Sequence, residues 1–261
     1  MASPAAHPVR IGVQLQPQQA PEYGLIRDAV LRSEDAGADI VFNWDHFYPL
    51  YGDPDGAHFE CWTMLAAWAE QTERVEIGAL VSGGGYRNPD LLADMARTVD
   101  HISGGRLILG IGGGWFEKDY DSYGYDFGTP GSRLRTLGKN LERIETRFAA
   151  LNPAPLREIP VLIGGGGERK TLRLVAKHAH MWHSFSDLDT LRHKAQVLAA
   201  HCAEIGRDPA TITHSVAFPK EGARMAEELV AEGTSLFTVG VGGPGYDLGA
   251  VHDAVRWRDS R

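Results

Sequence analysis

An aspartate and a histidine stand side by side at Asp45-His46, just beyond the apolar run Ile40-Val41-Phe42. Histidine takes up or releases a proton near neutral pH, and an adjacent carboxylate polarises its surroundings. His46 is therefore the candidate catalytic residue. His178, His180 and His183 resemble a ligand cluster, but their spacings of two and three suit no single strand or helix face. They also lack a carboxylate or cysteine close in sequence, so no metal site is expected there.

Glycine runs mark three further places. Ser82-Gly83-Gly84-Gly85-Tyr86-Arg87 is the first, and Gly112-Gly113-Gly114-Trp115-Phe116-Glu117 the second. The third is Gly164-Gly165-Gly166-Gly167, followed by Glu168-Arg169-Lys170-Thr171. This third run ends an apolar stretch and opens a helical one. Bare backbone N–H groups can then close on an anion, and a helix N-terminus adds a favourable partial positive charge. Arg169 and Lys170 add charge nearby. The run is not a P-loop, because Arg169 stands where the motif requires its second glycine. Gly110–Trp115 is not a dinucleotide fingerprint either, because Trp115 replaces the final small residue. Glycine there lets the flat face of a ring lie against the backbone. Both runs also fit the plainer role of a tight turn.

These loops need elements to hold them. Val9–Gln16, Asp39–Asp45, Val75–Ser82, Arg106–Gly112, Pro160–Gly164, His180–Phe185, Ile212–Phe218 and Ser235–Val241 read as eight strands. Helical patterns follow them: Pro21 to Ala36, Phe59–Thr72, Pro89 to Gly104, Gly131 to Ala150, Glu168–His178, Leu188–Ile205, Gly222–Glu232 and Tyr246 to Trp257. Strands that alternate with helices predict a parallel sheet, as do runs such as VLI and LILGI with two apolar faces. A doubly wound sheet shows the same alternation. The count of eight and the absence of an interrupting linker favour an α/β (β/α)₈ TIM barrel, with residues 1–261 as one domain and 1–8 as a flexible tail. In such a barrel every loop named above opens on one mouth.

Composition narrows the setting. With 34 acidic against 26 basic residues the net charge is −8, which argues against nucleic-acid binding. Cys61 and Cys202 stand far apart and read as free thiols. No signal-peptide pattern opens the chain, and no run of about 18 apolar residues predicts a membrane span. A cytoplasmic address is expected.

The stretches Trp44–Leu50 (WDHFYPL), Ile77–Tyr120 and Ile159–Ala179 together resemble the luciferase-like monooxygenase family, in particular its branch that uses coenzyme F420. The resemblance spans about Ile11 to Gly242. It implies a TIM barrel with a flavin or deazaflavin in its mouth. The ring would lie near Asp45, His46, Leu80, Val81, Ser82, Gly83, Gly113, Gly114 and Trp115. The cofactor phosphate would sit at Gly164, Gly165, Gly166, Gly167 and Glu168. The resemblance also implies a non-prolyl cis peptide at Leu80–Val81, a proton-handling role for His46, and a homodimer. The implied activity is an F420-dependent oxidoreductase acting on a small organic substrate. The alternatives are an FMN-dependent luciferase-like monooxygenase, which would need a reductase partner, and a cofactor-binding protein without catalysis. Two departures concern the substrate. Trp115 replaces the catalytic glutamate of the sugar-phosphate dehydrogenases of this group, and Leu50 replaces their tryptophan. The link Ala150–Pro155 is also shorter than the family's usual insertion, which predicts a more open mouth.

Overall fold

The computed structural model describes residues 8–184 and 187–261. The expected tail therefore lies, apart from Pro8, outside the described residues. So does Phe185, the end of the expected sixth strand.

The chain opens with β1 (Arg10–Leu15) and α1 (Tyr23–Asp35), then β2 (Ile40–Asn43) and α2 (Cys61–Gln71). Next come β3 (Glu76–Ala79), the two-residue β4 (Ser82–Gly83) and α3 (Pro89–Ile102). β5 (Leu107–Gly112) is followed by α4 (Glu117–Tyr123) and α5 (Pro130–Ala150). The remaining pairs are β6 (Val161–Gly164) with α6 (Thr171–His178), β7 (Met181–Ser184) with α7 (Leu188–Glu204), β8 (Thr213–Ala217) with α8 (Ala223–Ala231), and β9 (Thr234–Val241) with α9 (Gly249–Asp259).

All strand pairings between these elements are parallel. The order β3-β2-β1-β9-β8-β7-β6-β5 closes through β3 and β5 into a barrel. β4 continues the third barrel position, so eight staves result. The TIM barrel expected from the alternation is thus the fold, and the doubly wound sheet is excluded by closure.

Two apolar layers hold it. Ile40, Phe42, Leu80, Ile108, Leu162, Met181 and Leu236 fill the interior. A larger set packs strands against the surrounding helices, among them Ile11, Val41, Leu109, Leu137 and Phe237. α5 shows how local sequence places an element. Thr129 and Ser132 form a reciprocal capping box, Pro130 takes the first turn, and Leu137, Leu141 and Ile144 turn inward. Asn88 caps α3 without a reciprocal partner, its Oδ1 accepting from the Asp90 amide at 2.9 Å.

The structure corrects several expectations. The third strand is not continuous over Val75–Ser82. It breaks at a cis Leu80–Val81 peptide, as the resemblance implied. The loop after β5 contains the helix α4, which sequence reading missed because only Asp119 and Tyr120 of its seven residues are buried. α6 begins at Thr171 rather than Glu168, since the glycines ahead of it turn instead of coiling. α9 begins at Gly249 rather than Tyr246, whose φ of 42° lies outside helical geometry. Cys61 and Cys202 are buried free thiols, as expected. Among the described residues no helix is long and apolar enough to cross a membrane.

Candidate active site at the barrel mouth

A cavity of about 640 Å³ opens at the C-terminal ends of the strands. Its wall includes Asp45 and His46 after β2, Leu80–Gly83 at the break in the third stave, Gly112–Trp115 after β5, and Gly164, Gly165 and Thr171 after β6.

His46 is held by one hydrogen bond, to a carboxylate that is itself fixed by two others. Its Nδ1 lies 2.7 Å from Asp119 Oδ2 on α4. Asp119 is fully buried and also accepts from the Tyr86 hydroxyl at 2.7 Å and from the Phe47 amide at 3.1 Å. A buried carboxylate that receives two donors is an ionised acceptor, so the His46 contact is a third donation, from Nδ1–H. That fixes the tautomer and leaves Nε2 as the ring nitrogen for the cavity. Aromatic rings enclose the imidazole. Trp115, Phe116 and Trp44 lie 5.6, 5.5 and 6.2 Å from its centroid, all edge-on.

Asp45, adjacent in sequence, faces elsewhere. Both its oxygens go to the Arg87 guanidinium, at 2.5 and 3.1 Å, and Arg87 also reaches Glu60 at 2.6 Å. Burial pushes the Asp45 carboxyl up, and the Arg87 charge opposes this. The polarising carboxylate expected from Asp45 is therefore Asp119. Two histidines near the site are kept neutral by burial, His58 and His183, each brought down to about 4. His58 Nε2 accepts from Trp44 Nε1 at 3.1 Å, and His183 Nδ1 pairs with Ser215 Oγ at 2.9 Å.

The glycines make a floor without side chains. A Cβ on Gly112 would come within 2.9 Å of Val81 Cγ2, and one on Gly164 within 3.2 Å of Val81 Cγ1. Backbone at the ends of β5 and β6 thus closes tightly around Val81. Gln14 supports this bulge by donating to the Leu80 carbonyl at 2.7 Å. Such a surface fits a planar ring, and residues 164–165 with the opening of α6 fit its phosphate.

The structure brings most of the expected residues together, but not all. Asp45, His46, Leu80, Val81, Ser82, Gly83, Gly113, Gly114, Trp115, Gly164 and Gly165 line the cavity. Gly166, Gly167 and Glu168 do not. Gly165, at φ +120°, turns the chain, so that the Gly166 carbonyl meets Lys194 of α7 at 2.5 Å. Glu168 lies 3.3 Å from His193, and its carbonyl accepts from His201. Trp44, Tyr86 and Thr171, from the loops expected at the mouth, join the wall, whereas sequence reading missed Gln14, Gln16, Arg133 and His183 in it and Asp119 behind it. A polar residue inside an apolar strand was the available signal for Gln14 and His183. No local signal marked Asp119. His178 and His180 pair with Glu145 and Glu158 far from the cavity wall, and among the described residues no group of ligands could hold a metal.

Comparisons with known proteins can be set beside this geometry. The model of the family described as luciferase-like monooxygenase matches residues 5–238. An uncharacterized protein of Mycobacterium tuberculosis is 28% identical over 71% of this chain and 74% of its own length. The F420-dependent glucose-6-phosphate dehydrogenase of Amycolatopsis mediterranei is 28% identical over 66% of this chain, and the match covers 54% of that enzyme. The chain thus spans about half the length of that named relative. Among solved structures, an F420-dependent secondary alcohol dehydrogenase in complex with an F420–acetone adduct superposes with a TM-score of 0.82. The superposition covers 93% of this chain and 96% of that one at 17% identity, and this likeness concerns the fold.

Proposed function

The chain belongs to the luciferase-like monooxygenase family, and from that premise we propose that it is an F420-dependent oxidoreductase. Its reaction moves a hydride between a small organic substrate and the deazaflavin ring. One observation carries the reading. A single cavity holds His46, backed by the buried Asp119, beside bare glycine backbone at the ends of β5 and β6. The F420-dependent relatives support the choice of cofactor.

When bound, F420 supplies a ring carbon that accepts or donates the hydride, chemistry that no side chain offers. The chain supplies position and proton handling. Leu80, Val81, Ser82, Gly83, Gly113 and Gly114 would hold the ring, with Asp45 at its edge. Gly164, Gly165 and Thr171 would hold the phosphate. His46 takes at Nε2 the proton that a substrate hydroxyl loses as hydride leaves its carbon, or returns it in the reverse direction. Asp119 keeps the imidazole in the tautomer that can do so and stabilises its charged form. Trp44 and Phe116 pack edge-on against the imidazole and limit its contact with water.

The test is a fluorescence titration of the purified chain with F420 and, separately, with FMN. F420 is expected to bind at least tenfold more tightly. Tight FMN binding without F420 binding overturns the reading and favours an FMN-dependent monooxygenase. The family resemblance also supports a homodimer, measurable by light scattering.

A further inference from the structure

Aromatic rings cluster around His46 at the cavity wall: Trp44 and Trp115 lie edge-on to its imidazole, and Tyr51 lies edge-on to Trp44. Two of these rings are also unusually bare for their size, since Trp115 and Tyr51 are each 63% exposed. Large exposed rings at the lip of a cavity are an unfilled contact surface. Trp115 lies 5.6 Å from the His46 ring, and Tyr51 reaches that ring only through Trp44, 6.1 Å from it.

Charge is scarce on that side. Asp45 is neutralised by Arg87. Among the described residues, Arg133 is the lysine or arginine in the cavity wall, and backbone holds it. Its Nε donates to the Gly114 carbonyl at 3.0 Å and an Nη to the Phe127 carbonyl at 3.0 Å. Its plane also covers the Phe127 ring at 3.9 Å. A phosphate brought against these rings would lose its water without gaining a set of donors. A planar apolar body would instead gain ring contacts.

We propose that the substrate is an uncharged ketone or alcohol with an apolar or aromatic body, and that Trp115 is the residue that selects it. Phosphorylated sugars are excluded by the same wall. The proposal rests on the F420 reading for the type of reaction, but the binding preference stands on the wall itself.

Isothermal titration calorimetry on the full chain, with and without saturating F420, separates the two. The probes are acetophenone, 1-phenylethanol and glucose 6-phosphate. At least one of the two aromatic probes is expected to bind saturably, and glucose 6-phosphate is not. Trp115→Ala is expected to weaken the aromatic probe at least tenfold, with F420 absent as well as present. Trp115→Phe is expected to restore binding to within about threefold. Saturable glucose 6-phosphate binding, failure of both aromatic probes, or unchanged affinity in Trp115→Ala overturns the proposal. If aromatic probes bind but F420 does not, the cofactor reading fails and this one stands. If F420 binds and glucose 6-phosphate is the preferred ligand, the reverse holds.

Discussion

Asp119 Oδ2 stands 2.7 Å from His46 Nδ1, although 73 residues separate the two along the chain. The short helix α4 exists at the mouth to make this contact. It buries Asp119 and Tyr120 and leaves most of its other residues to solvent.

Asp119→Asn keeps the shape of the carboxylate but removes its charge. The amide can present its N–H₂ to Nδ1, which favours the wrong tautomer. Turnover should fall roughly 10- to 100-fold, the usual effect of losing a partner that orients a histidine. His46→Ala should cost more, about 100- to 10,000-fold. F420 affinity should change little in either variant. Steady-state rates set beside cofactor titrations check this, and equal loss of both quantities would contradict it.

Arg87→Met should destabilise the fold by about 3–5 kcal/mol, because it strands the fully buried Asp45 carboxylate. The second substitution Asp45→Asn, in the Arg87→Met chain, should recover part of that loss. Urea unfolding of both single variants and the double variant reads the coupling.

Stability should fall as the solution is acidified from about pH 6.5 towards 4. His183 is held near 4 in the folded chain by burial and has its ordinary value near 6.5 when unfolded. The unfolded state therefore takes up the proton first, and native stability drains through that window before levelling below it. The contribution of His183 is on the order of 3 kcal/mol. His58 and His214 are held near 4 as well, so His183→Gln should reduce the slope of the urea midpoint between pH 6.5 and 4 without abolishing it. An unchanged slope would remove His183 as one of its sources.

Gly110→Ala should be severe. A Cβ there would fall 1.8 Å from the Ala79 carbonyl oxygen, where β3 and β5 meet and close the barrel. Backbone must move, at a cost of about 3 kcal/mol. Gly24→Ala, where nothing lies within 4 Å, serves as the control that should not destabilise. The two urea midpoints decide it.

The alternation of apolar strands and amphipathic helices was written in the sequence, because each element must bury a face and its period shows which. The glycine loops were equally legible, since bare backbone is a local property of residue type. So was His46, as an ionisable group at a strand end. The carboxylate that serves it was not. Adjacency pointed to Asp45, yet neighbours leaving a strand face different ways, and Asp45 turned to Arg87 while His46 turned to Asp119. Glu168 shows the same limit: one turn at Gly165 carried the end of the glycine run away from the cavity. Residue type and period are local, and they determined the elements and the kind of chemistry. Which groups meet depends on barrel closure and on the direction each loop takes, and only the packed chain decides those.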